Sequence, residues 1–395
     1  MKKLDSILNI IQQGKDMLKE LKENKKMIFI LILFLILPFF RFPDLRNEMK
    51  YLNIIQEMIE KKSYWILYYQ GGLYPDKPPL YFWLLIIIYK IFGENLVFPL
   101  SLILFSYLPF LSILFLGYWQ LGYLKKEWRS NFLIYSLTIP YLMGISIFLR
   151  MDMLMTFFIT LALSLFIYFY FNQDKINNMK LFIFYLNLFL GVFTKGVLGI
   201  IFPILIIFIF LYLENNLKFL NLLHWKKGII FLLLCFSLWF LILYQQPDGK
   251  EYIYLLLNKQ TVGRAYKSFS HARPFYYYFV YIPLTFFPYG LFYIYGFFKY
   301  LKNWKKKREW TLFEKWTFSW SIPPLILLSV VSGKLQIYML PICIGMIFLS
   351  LIVRDELIEK YSIIKNIEKY IQNFIIILYA FLPIGLFIYT NYFKP

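Results

Sequence analysis

Apolar runs of close to 20 residues recur along this 395-residue chain from one end to the other. An α-helix needs about that length to cross a hydrocarbon core. Such a pattern leaves little choice of fold: within lipid every backbone polar group must be satisfied internally, so the spans must be helices. Composition agrees, because hydrophobic residues make up 60% of the chain and charged residues only 16%, against roughly a quarter charged in soluble domains. The runs read as spans lie near 27–40, 96–118, 130–149, 153–171, 181–193, 197–213, 229–245, 276–298, 312–331, 337–353 and 373–391. The expectation is an all-α integral membrane protein of about eleven transmembrane helices, with 27–395 as one membrane domain and no soluble C-terminal domain.

Charge sets the orientation. The run 80–92 is short and follows Pro78 and Pro79. If it does not cross, Lys125, Lys126, Arg129, Lys226, Lys227 and the cluster Lys302, Lys305, Lys306, Lys307 and Arg308 all fall on one side. The positive-inside rule makes that side cytoplasmic. Residues 80–92 are therefore read as a non-spanning helix at the outer interface, within a first outer loop of 41–95. Residues 1–26, with Leu4, Ile7, Leu8, Ile11, Leu18 and Leu21 among lysines, read as an amphipathic helix on the cytoplasmic face and not as a cleavable signal. The net charge of +20 fits basic loops facing anionic lipid, and nucleic acid is not expected as a partner. Cys235 and Cys343 lie inside apolar runs without CxxC spacing, which leaves metal and redox readings unsupported.

With that topology the polar chemistry collects on the outer face. In the first outer loop Asp44 and Glu48 stand one helical turn apart. Met49, Leu52, Ile55 and Met58 follow at helical spacing, so a surface helix is expected with its acids turned to an aqueous pocket. Asp76-Lys77-Pro78-Pro79 is a stiffened turn that holds Lys77, Tyr81, Phe82 and Trp83 in one orientation. Arg150 and Asp152 interrupt two apolar runs, and Thr194-Lys195-Gly196 and Ser332-Gly333-Lys334 interrupt others. Each has a bland reading: a structural ion pair, or lysines snorkelling at the interface. Together with Arg264, His271 and Arg273 in the long outer loop, they suggest an electropositive pocket for a phosphate-bearing amphiphile, with a carboxylate placed to act as base.

Several of these segments match a family pattern, in order, over residues 41 to 341. Tyr74 to Leu84 (YPDKPPLYFWL), Asn47 to Met58 (NEMKYLNIIQEM), Arg150-Met151-Asp152, Thr194-Lys195-Gly196, His271 to Tyr278 with Phe287-Pro288-Tyr289, and Ser332-Gly333-Lys334 with Tyr338 to Pro341 carry it. The chain resembles the GT-C fold, lipid-linked glycosyltransferases of the aminoarabinose transferase and protein O-mannosyltransferase superfamily. The resemblance implies transfer of a monosaccharide from a polyprenyl-phosphate donor, such as undecaprenyl phosphate, to an acceptor on the extracytoplasmic face. That acceptor would be lipid A, another glycan or a protein. It implies Glu48 and Asp152 as the catalytic acids. Lys77, Tyr74, Tyr81, Arg150, Lys195, Arg264, His271, Arg273, Lys334 and Tyr338 would bind substrate. The family's usual first acid is Asn47 here, which cannot accept a proton, so Glu48 and Asp44 both stand as bases. A divalent ion between Glu48 and Asp152 is an open alternative. The competing readings are a transporter or flippase of a lipid-linked saccharide and a non-catalytic scaffold. Residue usage rich in Ile, Lys, Asn and Phe points to a bacterial plasma membrane.

Overall fold

The computed structural model describes residues 2–44, 46–258 and 272–392. The chain is a multi-pass, all-helical membrane protein. Its strands among the described residues are the two-residue pairs Tyr68–Tyr69 and Gly72–Leu73, joined antiparallel with Tyr68 opposite Leu73. Gln70 and Gly71 at the tip of this hairpin both take positive φ, the geometry whose twist matches the flanking strands.

Among the described residues five helices are long and apolar enough to cross a bilayer: Glu94–Leu124, Met151–Phe171, Trp225–Tyr244, Gln336–Lys360 and Ile363–Gly385. Several other expected spans are shorter or broken, so eleven crossings remain our reading of the sequence. The run 130–149 is not one helix: it divides into Arg129–Leu137 and Pro140–Ile145. Pro140 favours the extended conformation of Ile139 (φ −90°, ψ 105°), because a residue before proline is disfavoured in the helical region. The run 276–298 likewise splits into Tyr277–Thr285 and Gly290–Lys302 around Pro288. Residues Leu80–Phe92 form a 13-residue helix, stopped by Gly93 at φ +78°.

Burial distinguishes centre from periphery. Cys343 to Val353 are all buried, and so is most of Met151–Phe171. By contrast Ile229, Ile230, Leu233, Leu234, Leu238 and Leu241 on Trp225–Tyr244 are exposed. A stripe of large aliphatic side chains with no protein neighbour is what a lipid-facing helix presents. The loop 41–95 has a core of its own. Tyr51, Ile54, Ile55 and Met58 of helix Glu48–Glu60 pack with Tyr81, Phe82 and Leu85 of Leu80–Phe92. Glu57 ties the hairpin to this unit by accepting the amides of Gln70 at 2.5 Å and Gly71 at 3.1 Å.

Candidate active site at the loop-bearing end of the bundle

Two antiparallel helices build the centre of the site. Met151–Phe171 and Asn178–Lys195 are joined by a short connection. Asn177 starts the second helix by accepting the Lys180 amide at 3.0 Å, an N-cap. The hairpin therefore returns Lys195, in the last turn of one helix, to Asp152, in the first turn of the other. Each charge complements the dipole of its own helix end. Lys195 is held there by the backbone that follows. Gly196 takes φ +133°, and the next helix, Leu198–Leu213, turns straight back. A Cβ on Gly199 would lie 2.2 Å from the carbonyl carbon of Gly191. Glycine at 199 permits this close approach.

The Lys195 ammonium pairs with Asp152 Oδ1, and Arg150 Nε lies 3.4 Å from Oδ2. The side-chain exposures are 1% for Asp152, 10% for Lys195 and 25% for Arg150. The carboxylate is thus enclosed, while one cation keeps a route to solvent. Tyr338 contributes its ring, 4.9 Å from Lys195 Nζ, and Lys77 is within electrostatic reach of Asp152. The turns carrying Lys77, Asp152, Lys195 and Tyr338 are therefore brought together from four distant parts of the sequence. Asp152 thus sits among three cationic side chains, Arg150, Lys195 and Lys77, in a niche of positive potential.

Glu48 behaves differently from expectation. It was expected to turn towards an aqueous pocket, yet it lies on the same buried helix face as Tyr51, Ile55 and Met58 and is fully enclosed. Its Oε1 accepts from the Arg41 guanidinium and from the Leu149 amide at 2.6 Å, and its Oε2 accepts the Asp44 amide at 2.7 Å. Arg41 also donates to the Ile147 carbonyl at 3.1 Å and lies 4.5 Å from the Phe148 ring centroid. Glu48 thereby fastens the start of the surface helix to the segment just before Arg150. Asp44, in contrast, is exposed and accepts the Asn47 amide at 3.0 Å.

Tyr51, beside Glu48, faces the same cluster. Burial, reinforced by Asp152, pushes its hydroxyl up to about 12, so it remains a neutral donor. Tyr81 is fully buried with its hydroxyl lacking a hydrogen-bond partner among the described residues. It stands edge-on to Tyr51 at 6.0 Å and within electrostatic reach of Glu48, Asp152 and Arg150. Tyr74 belongs to a neighbouring group, in which Lys50 lies 4.2 Å from its ring centroid and 5.0 Å from that of Tyr69. Burial pushes the Lys50 ammonium down from the ordinary lysine range, and Asp76 opposes this.

Lys334 is also placed differently from the phosphate role assigned to it. It is buried, and its ammonium donates to the carbonyls of Arg273 at 2.9 Å and Val331 at 2.5 Å. With the Arg273 amide donating to the Ser332 carbonyl at 3.1 Å, it clips two loops together. Arg273 itself is exposed. Arg264 and His271 lie outside the described residues. No group of three or more His, Cys, Asp and Glu side chains gathers among the described residues. Both candidate carboxylates are met by cations, Glu48 by Arg41 and Asp152 by Lys195 and Arg150.

Sequence reasoning passed over Arg41 as a member of the site. An arginine just after an apolar run reads as an interface anchor, and nothing local signals its partner seven residues on. Tyr51 was matched to a motif but given no role, since an aromatic on an amphipathic helix reads as core.

No protein-family model matches the chain. It is 30% identical over 279 residues to an uncharacterized protein of Aquifex aeolicus, covering 68% of this chain and 53% of that protein. It is 24% identical over 301 residues to an undecaprenyl phosphate-alpha-4-amino-4-deoxy-L-arabinose arabinosyl transferase of Shewanella sediminis, covering 75% and 53%. The chain thus spans about half the length of the curated relatives it matches. Among solved structures it superposes on ArnT from Cupriavidus metallidurans bound to undecaprenyl phosphate, with TM-score 0.66, 16% identity and coverage of 84% of this chain and 59% of that one. It also superposes on the archaeal oligosaccharyltransferase AglB from Archaeoglobus fulgidus, in complex with an inhibitory peptide and a dolichol-phosphate, with TM-score 0.53, 13% identity and coverage of 93% and 55%. These likenesses define the class: the chain is a multi-pass membrane protein of the GT-C fold. Within that class it is similar to the aminoarabinose transferases in sequence as well as in fold.

Proposed function

We propose that the chain is a glycosyltransferase that moves a monosaccharide from a polyprenyl-phosphate donor to an acceptor on the extracytoplasmic face of a bacterial plasma membrane. The observation that carries this reading is the enclosed Asp152 with Lys195, Arg150, Tyr338 and Lys77 around it: a cation-rich niche where helix ends meet the outer loops. The cations of that niche suit the phosphate of a lipid carrier, and they suit it best as it leaves and its negative charge grows. The solved relative that binds undecaprenyl phosphate supports the choice of carrier.

The reaction is a single displacement. An acceptor hydroxyl or amine attacks the anomeric carbon, and the bond from that carbon to the phosphate oxygen breaks. The electron pair leaves with the polyprenyl phosphate, and configuration inverts. The acceptor proton passes to a carboxylate. Because Glu48 already accepts from Arg41 and two backbone amides, we assign the proton to the exposed Asp44 and give Glu48 the role of holding the loop. Lipid A, another glycan and a protein remain the acceptors to be tried.

The test is transfer of radiolabelled sugar from polyprenyl-phosphate donors in membranes, comparing wild type with Asp44→Asn and Asp152→Asn at matched expression. A loss of roughly 10²–10⁴-fold in Asp44→Asn with carrier binding retained supports the assignment. Wild-type membranes that carry the lipid-linked sugar across the bilayer without transferring it would favour the transporter alternative. That reading calls for charges deep within spans, whereas Asp152 and Lys195 sit at helix ends.

A further inference from the structure

Tyr51 is held in place by the way the surface helix is fastened. Glu48 Oε1 accepts the Leu149 amide at 2.6 Å, and Arg41, which also binds Glu48, donates to the Ile147 carbonyl at 3.1 Å. The first turn of helix Glu48–Glu60 is therefore clamped to the segment that ends in Arg150. Residues three apart share a helix face, and Glu48 and Tyr51 are both buried on theirs. The clamp thus carries Tyr51 to the same segment, where it packs in one cluster with Leu149 and Met151. Edge-on contacts with Tyr81 at 6.0 Å and Phe82 at 5.7 Å set the plane of its ring.

That ring carries a hydroxyl beside a guanidinium. Arg150 and Tyr51 are within electrostatic reach of one another and of Asp152. Among the described residues Arg150 donates from Nε alone, to Asp152 at 3.4 Å, and its side chain keeps 25% exposure. Its two Nη groups are thereby left as donors. The Tyr51 hydroxyl is also not sealed: Tyr51 keeps 6% exposure, whereas the hydroxyl of neighbouring Tyr81 is closed off. Because burial pushes the Tyr51 hydroxyl up to about 12, it keeps its proton at neutral pH and donates. A guanidinium fork next to a neutral hydroxyl is a donor set for a tetrahedral oxyanion. The fork matches two equivalent oxygens, and the hydroxyl serves a third.

We propose that Tyr51 is a phosphate-binding residue whose hydroxyl donates to the oxygen linking sugar to phosphorus, while Arg150 holds the two non-bridging oxygens. The inference rests on the transferase reading for the identity of the ligand. In the donor that third oxygen is an ester oxygen and a weak acceptor. When its bond to the anomeric carbon breaks, the electron pair stays on it and the hydrogen bond strengthens, with no proton leaving the phenol. Tyr51 therefore favours the transition state and the product carrier over the donor.

The test uses Tyr51→Phe in the purified full chain, a change that keeps the ring contacts and should leave protease protection of residues 41–95 at the wild-type level. Binding of polyprenyl phosphate, a monoester with three oxygens, should weaken about tenfold. Binding of the sugar-bearing diester should change less than about twofold, and kcat should fall roughly 10²-fold with the donor KM nearly constant. Equal weakening of monoester and diester would mark Tyr51 as structural and overturn the proposal, as would wild-type affinity for both. If wild type moves no sugar but binds the monoester in this Tyr51-dependent way, the transferase reading falls and the phosphate contact stands.

Discussion

Replacing Lys195 by methionine is expected to destabilise the protein by about 3 kcal/mol and to abolish carrier-phosphate binding. Two unit charges in contact attract by roughly 5 kcal/mol at an effective dielectric near 20, and much of that offsets their desolvation. Removing one partner of an enclosed pair leaves a charge buried, at a cost of about 3–5 kcal/mol. Here Arg150 remains 3.4 Å from the other carboxylate oxygen and is 25% exposed, which places the loss at the lower end. Asp152→Asn removes the stranded charge, so the double variant should recover about 2 kcal/mol relative to the sum of the single changes. The measurement is reversible unfolding in mixed micelles followed by tryptophan fluorescence, with polyprenyl-phosphate binding assayed on the folded fraction. A Lys195→Met loss below about 0.5 kcal/mol, or strict additivity in the double variant, would refute the idea that the two charges depend on each other.

Arg41→Ala and Glu48→Gln should share one phenotype, a looser first outer loop with faster proteolysis between residues 41 and 95. A Glu48→Gln enzyme that loses transfer while keeping wild-type loop protection and pH profile would return Glu48 to the role of base. Gly199→Ala drives a Cβ into the Gly191 backbone and should cost about 1–3 kcal/mol or more, with carrier binding falling because Lys195 is displaced; a wild-type melting midpoint would contradict this. Tyr81→Phe removes a buried hydroxyl that has no hydrogen-bond partner among the described residues, so stability should stay within about 0.5 kcal/mol or rise. If carrier or acceptor binding also stays unchanged, Tyr81 does not touch substrate.

The sequence by itself determined that this chain lives in a membrane, that its backbone is helical, and that its polar residues gather at helix ends. These properties follow from the length of the apolar runs and the cost of placing charge in hydrocarbon, both of which are local. Asp152 and Lys195 were legible as candidates for the same reason, since an ionisable residue breaking an apolar run is conspicuous wherever it occurs; Lys77 stood out in its Pro78-Pro79 turn, and Tyr338 through the family resemblance. Tertiary structure alone decided the partners. That Asp152 meets Lys195 depends on two helices of matched length folding back to back, and on the Gly191–Gly199 contact that aims the lysine. That Glu48 is closed off by Arg41 and by the amides of Leu149 and Asp44 depends on a loop docking against a segment about a hundred residues away. No periodicity records such a contact. Lys195 and Lys334 looked alike in sequence, each in a tight turn beside glycine. One faces a carboxylate and the other two backbone carbonyls, because a lysine's role is set by which acceptors the fold brings to its ammonium.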